Sequence, residues 1–303
     1  MIMHHCFDYF DPTSSLILYL RFITGSFVFV AGFMFINIYL KNNDNPLYDK
    51  ISIRMIQRGL KLLFLFILLN ALIFLSFPGK LSNLNLNSPL ENLYTIFVIG
   101  RYNLVAFEIL IPIAYVMIIT GILIGIFKDK IYLIVPLSIL LFLYSSFKYF
   151  SQESGYNLRF LTIGLLGFSL GFITFDKFKI LADKWVIFPI LYILYLIFIT
   201  NYKLNYPVYL ISVLINIIIF YIISRKINLK NFFADKIVLF GKYPLFSYVF
   251  QIAFLQVYAK LFRNNNLLFN FLLTLLATLF SVHIVDFSTK RYSSFNRIYR
   301  IFF

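Results

Sequence analysis

Residues 104–127, LVAFEILIPIAYVMIITGILIGIF, carry a single charged side chain, Glu108, and are bounded by Arg101 on one side and by Lys128, Asp129 and Lys130 on the other. A bilayer core roughly 30 Å thick needs about 20 apolar residues to cross as a helix. Lipid offers no partner for a free backbone N–H or C=O, so such a crossing must be helical. Segments of the same kind recur along the chain at 16–40, 57–77, 131–150, 157–175, 184–200, 206–224, 236–261 and 266–289. With 61% hydrophobic and 13% charged residues in 303, the expectation is an all-α fold: a polytopic transmembrane helix bundle with nine full spans, forming one membrane domain over residues 1–303. Residues 41–56, 78–92 and 225–235 read as polar loops. The stretch 90–100 is apolar but short, and reads as an interfacial helix or the start of the third span.

The net charge of +15 suggests nucleic acid in a soluble protein. Here the basic residues lie in the loops, where they set topology, and no nucleic-acid partner is expected. With loop 41–61 placed in the cytoplasm, 19 of the 27 Lys and Arg fall on the inner side and 8 on the outer. By the positive-inside rule the C-terminus is therefore cytoplasmic, and a bacterial inner (plasma) membrane is the expected location. This threading leaves residues 1–15 outside. The opening MIMHHCFDYF (residues 1–10) reads as the last turns of a truncated first span, so about 20 residues or slightly fewer are expected to precede it, giving a parent with ten spans.

The lone cysteine, Cys6, excludes an intrachain disulfide and a multi-cysteine metal site. With only three histidines, His4, His5 and His283, no metal is expected. No Gly-rich phosphate loop, Cys-x-x-Cys or Gly-x-Ser-x-Gly is present.

Ionisable groups inside spans are costly and therefore informative. Glu108 follows Arg101 by two helical turns, and Pro112 at i+4 from it would free a backbone carbonyl near the carboxylate. It reads either as the lining of an outward-open polar cavity or as a packing partner for a neighbouring helix. His4 and Asp8 are spaced i, i+4 and share a helix face. An imidazole oriented by a carboxylate suits a general base, and His5 stands beside them. His283, Asp286 and Lys290 read as a structural ion pair at the membrane edge. Gly164, Gly167 and Gly171 fall at helical spacing and predict close helix packing. Arg54, Arg58 and Lys61 make a basic stripe, for lipid headgroups or for the phosphates of a coenzyme A.

Several blocks together resemble the membrane acyltransferase superfamily: the type-3 acyltransferases, the glucan-modifying succinyltransferases and the heparan-α-glucosaminide N-acetyltransferase-like proteins. The blocks are MIMHHCFDYF (1–10), GSFVFVAGFMF (25–35), IRMIQRGLKLL (53–63), AFEILIPIAYV (106–116), GLLGFSLGFI (164–173), FGKYPLFSYVFQ (240–251) and the basic tail IVDFSTKRYSSFNRIYRIFF (284–303). There are two departures. No Arg-Gly pair precedes the histidines, and Gln251 stands where the family has a late histidine.

The resemblance implies transfer of an acyl group, acetyl first among them, from cytoplasmic acyl-CoA to a glycan or glycolipid acceptor outside, as O- or N-acylation. It implies His4 or His5 with Asp8 as the catalytic group, and Arg101, Glu108, Asp11 and Arg159 as acceptor-binding residues. Arg54, Arg58 and Lys61 would hold the acyl-CoA. The partners are then the lipid bilayer and the acceptor, and a homodimer is compatible. The competing class is a transporter or lipid/glycan flippase using intramembrane Glu108, and a third is a non-catalytic membrane scaffold.

Overall fold

The structure is a computed structural model, and it describes the chain except for residues 41–47, 77–88, 101–104, 151–154, 173–179, 181–182, 184–185, 202–205, 227–231, 263–265 and 303. Among the described residues all regular structure is helical. In chain order the main helices are α1 (Ile2–Phe10), α2 (Leu16–Phe35), α3 (Tyr48–Ser76), α4 (Leu110–Phe127), α5 (Ile134–Phe150), α6 (Tyr156–Leu170), α7 (Ile187–Asn201), α8 (Tyr206–Lys226), α9 (Phe232–Lys242), α10 (Pro244–Leu261), α11 (Leu267–Arg291) and α12 (Ser293–Phe302).

Six segments of the described residues are long and apolar enough to cross a membrane: Leu16–Phe35, Tyr48–Ser76, Leu110–Phe127, Lys130–Phe147, Tyr206–Arg225 and Leu267–Arg291. A seventh is obtained if α9 and α10, bent by 93° at their junction, form one broken span. These are the helices of an integral membrane protein. Their outward faces carry large apolar side chains, with Leu75 79%, Phe147 74% and Phe280 69% exposed, a pattern suited to lipid and unsuited to water. Their small polar residues turn inward and bond to their own backbone. Ser138, Ser169, Thr274 and Thr278 are buried, and each hydroxyl donates to the carbonyl four residues back.

The expected nine spans are not confirmed. The segments read as 157–175 and 184–200 contain helices of 15 residues each, α6 and α7, short of the length a perpendicular crossing needs. The segment 236–261 breaks at Tyr243, because Pro244 has no N–H to continue the turn and instead starts α10. Residues 48–56, read as loop, are the first turns of α3. The stretch 90–100 is neither a span nor the start of one. It forms a short helix, Pro89–Leu93, and a π-helical turn, Tyr94–Ile99, closed by Gly100 in the left-handed conformation at φ 75°.

The chain forms two compact units, one of Met1–Arg21 with Ile222–Phe303 and the other of Phe22–Tyr221. In the second, α3 packs along α4 and α2 along α6. Buried Ile51, Met55, Gly59, Leu62, Phe66 and Asn70 make a stripe at helical period down α3. Phe22, Phe29, Ile163, Tyr206, Leu210 and Val213 form an apolar core between α2, α6 and α8. The expected close packing of the glycine-bearing helix is present. A Cβ on Gly167 would lie 2.2 Å from the Phe29 carbonyl oxygen, and one on Gly32 would lie 2.0 Å from that of Gly164.

In the first unit α1 packs against both α10 and α11, which also pack on each other. The bend between α9 and α10 is held from α11. Asp286 accepts hydrogen bonds from Lys242 Nζ at 2.7 Å and from Tyr243 Oη at 2.9 Å. Its other oxygen meets Lys290 Nζ at 2.6 Å, one turn on, as the i, i+4 spacing predicts. The buried carboxylate thus fixes the residues on which the chain turns.

Candidate functional site

α1 contributes nine residues and is not among the candidate spans of the described residues. Their adjacent positions place His4 and His5 about 100° apart around the helix axis, with Asp8 one turn on, between them. His4 Nδ1 lies 2.9 Å and His5 Nδ1 3.5 Å from the same oxygen, Asp8 Oδ2. The imidazoles meet edge to face, with centroids 5.5 Å apart and planes at 82°. His5 also sits 6.0 Å, centroid to centroid, from the ring of buried Tyr248 on α10. Next to it, Gln251 Nε2 lies 4.0 Å from Met1 Sδ, so Gln251 packs against the start of α1. Cys6, fully buried, points the other way and donates to Thr274 Oγ1 on α11 at 4.0 Å.

The two ends of the His5 ring have different surroundings. Nδ1 faces the carboxylate, whereas Nε2 is buried and has no hydrogen-bond partner. A neutral imidazole carries one proton, and a carboxylate on Nδ1 draws it there. The Nε2 lone pair is then the free acceptor. Burial lowers the pKa of His5 below the ordinary 6.5, an effect that Asp8 opposes, so the neutral form prevails at neutral pH. Burial pushes the Asp8 carboxyl upward, but the two neighbouring imidazoles, His4 first, outweigh this and hold it at about 2.

The sign of the resulting pH dependence follows. His5 resists protonation, so its function as an acceptor is complete above pH 6.5 and is lost only as pH falls through its lower folded-state pKa. Asp8 supports the protonated ring, so Asp8→Asn is expected to move the His5 titration to still lower pH. Ring-selective NMR titration of the full chain in detergent reads this directly, and an upward shift in the variant would contradict the arrangement.

The other expected site residues are placed as follows. Asp11 caps the C-terminus of α1 and accepts from the Thr13 hydroxyl at 3.3 Å. It bonds its own turn. Arg54, Arg58 and Lys61 are exposed on α3, on a side shared with exposed Ile53, Leu60 and Phe64. The Arg159 guanidinium lies over the Tyr156 ring, 5.1 Å from its centroid. Arg101 lies outside the described residues. Arg54, Arg58, Lys61 and Arg159 belong to the second unit, and Asp11 and the histidines to the first.

Glu108 corrects the helical expectation. It is half-buried in a turn before α4, which begins at Leu110, so it does not project from a helix face two turns beyond Arg101. Phe107 at φ 58° interrupts the helix. Asn70 holds this break open: its Nδ2 donates to the Ala106 carbonyl at 2.9 Å, and its Oδ1 accepts the Ala106 N–H at 2.8 Å. A side chain thereby supplies both backbone bonds that a continuing helix would have made. Pro112 then falls in the first turn of α4, where a missing N–H costs little. The Glu108 carbonyl is taken by the N–H of Ile111 at 3.2 Å and is not freed.

Asn157 Nδ2 donates to the carbonyls of Ile96 and Phe97. Sequence reading did not single out Asn70. It also passed over the polar stripe Asn270, Thr274, Thr278 and Ser281, all buried on α11. Its signal was present, since these four residues recur at helical spacing in an otherwise apolar run. No family model, curated protein or solved structure matches this chain.

Proposed function

We propose that the chain is a membrane-embedded acyltransferase that moves an acyl group, acetyl first among the candidates, from cytoplasmic acyl-CoA to an extracytoplasmic sugar-type acceptor. The observation that carries this reading is His5, whose Nε2 is buried and unengaged while its Nδ1 faces Asp8. That is the geometry of a general base held in one tautomer by a carboxylate. In the reaction His5 Nε2 takes the proton from an acceptor hydroxyl or amine, and the acceptor atom attacks the thioester carbonyl. The C–S bond breaks, and the departing CoA thiolate recovers the proton from the imidazolium. Asp8 stabilises the transient positive charge on the ring. The exposed guanidinium groups and ammonium of Arg54, Arg58 and Lys61 suit the phosphates of the donor. Turnover of radiolabelled acetyl-CoA by the purified full chain, with a mixed glycan acceptor, is the test. Labelled glycan is the expected product, and its absence at every acceptor tried would defeat the proposal.

The second reading is a transporter, favoured by the 93° break between α9 and α10, since discontinuous helices are a recurring device of transporters. It requires substrate uptake into proteoliposomes without acyl-CoA consumption, and loss of uptake in Glu108→Gln.

A further inference from the structure

We propose that His4, His5 and Asp8 form a binding site for a transition-metal dication of the Zn2+ type. One ligand atom from each residue lies within 4.8 Å of those of the other two. The two separations to Asp8 Oδ2, 2.9 Å from His4 Nδ1 and 3.5 Å from His5 Nδ1, bracket the roughly 3.3 Å between ligands of a tetrahedral zinc with bonds of about 2.0–2.1 Å. The remaining edge, between the two imidazoles, is no longer than 4.8 Å.

The hydrogen bonding points the same way. His4 Nδ1 is buried, lies 2.9 Å from Asp8 Oδ2 and has no hydrogen-bond partner, so its lone pair is available to an ion placed between the two side chains. Two imidazoles and one carboxylate select borderline ions such as Zn2+ over Mg2+ and Ca2+, which require oxygen ligands. Three protein ligands leave the fourth position for water or an exogenous group. Cys6 points to Thr274 and is not part of the set.

Occupancy excludes the role of His5 as a base. An ion on His5 Nδ1 displaces that proton to Nε2 and turns the free acceptor into a donor. The ion is thus an inhibitor of transfer, and site occupancy and transfer can be measured separately.

The test uses the full chain in detergent, stripped with a chelator and titrated with ZnCl2, with MgCl2 as control. The expected results are about one Zn2+ bound per chain, at least tenfold weaker binding in His4→Ala and in Asp8→Ala, and unchanged binding in His283→Ala. Co2+ added to the unaltered protein is expected to give the intense visible absorption of a four-coordinate site, which avoids dependence on how well a variant folds. Equal zinc binding by the parent and by the His4→Ala, His5→Ala double variant would overturn the proposal, as would only weak, six-coordinate Co2+ bands. Neither readout contains an acyl donor, so failure here leaves the acyltransferase reading intact. Failure of transfer in metal-free protein likewise leaves the metal site intact.

Discussion

Replacing His5 with glutamine is expected to lower acyl transfer by about 10²–10⁴-fold, the range that general-base catalysis supplies. The loss should fall on kcat, with the KM for acetyl-CoA little changed. Nε2 of His5 is the imidazole nitrogen that is both buried and without a partner on the side away from Asp8, and glutamine keeps polarity and approximate volume but cannot accept and return a proton. His4 is expected to matter less, with a loss under about tenfold in His4→Gln, because its contact is with the same carboxylate oxygen and serves mainly to orient Asp8. Initial rates on the full chain in proteoliposomes separate the two. If His4→Gln abolished transfer and His5→Gln left it intact, the assignment of the base would be reversed. If both were neutral, catalysis by this cluster would be rejected.

This distinction was not available from the sequence. HHCFD places His4 and His5 one turn before Asp8, and the i, i+4 rule brings His4 to the carboxylate. Which of the two rings has its far nitrogen buried depends on Tyr248, more than 240 residues away in the chain, and on α10 packing beside α1. Helical spacing is a local property, whereas burial is set by the partner helix. Glu108 shows the opposite failure. Its apolar surroundings read as continuous helix, and nothing in residues 104–127 announces a left-handed Phe107. Asn70, from a different helix, satisfies both backbone groups of Ala106 in place of a helical turn. The span count is unconfirmed for a related reason. Hydropathy is blind to a bend pinned by Asp286, Lys242 and Tyr243, and to a helix such as α6 that stops at 15 residues within a longer apolar run.

The glycine spacing was legible, and it supports the largest expected effect on stability. Gly32→Ala is expected to cost about 1–3 kcal/mol, the range for overpacking a close-packed site, and to lower the midpoint of thermal unfolding by several degrees. The new Cβ would fall 2.0 Å from the Gly164 carbonyl oxygen and 3.0 Å from the Phe168 nitrogen. Both are backbone atoms, so no rotamer change relieves the clash. The helices must separate by about 1 Å, and dispersion contacts along the α2–α6 interface are lost with them. Inside a membrane this loss has no hydrophobic compensation, since lipid tails are as apolar as the residues exposed, and association depends on such packing. Gly32→Val should prevent recovery of folded protein. Gly241→Ala is the matched control. It lies in α9 with nothing within 4 Å of its added Cβ, so the alanine is expected to be neutral or stabilising by up to about 1 kcal/mol through helix propensity. Thermal unfolding of the parent, Gly32→Ala and Gly241→Ala in the same detergent decides the matter. A Gly32→Ala protein melting with the parent would mean that the α2–α6 contact relaxes freely and that the glycine spacing is not what holds these helices together.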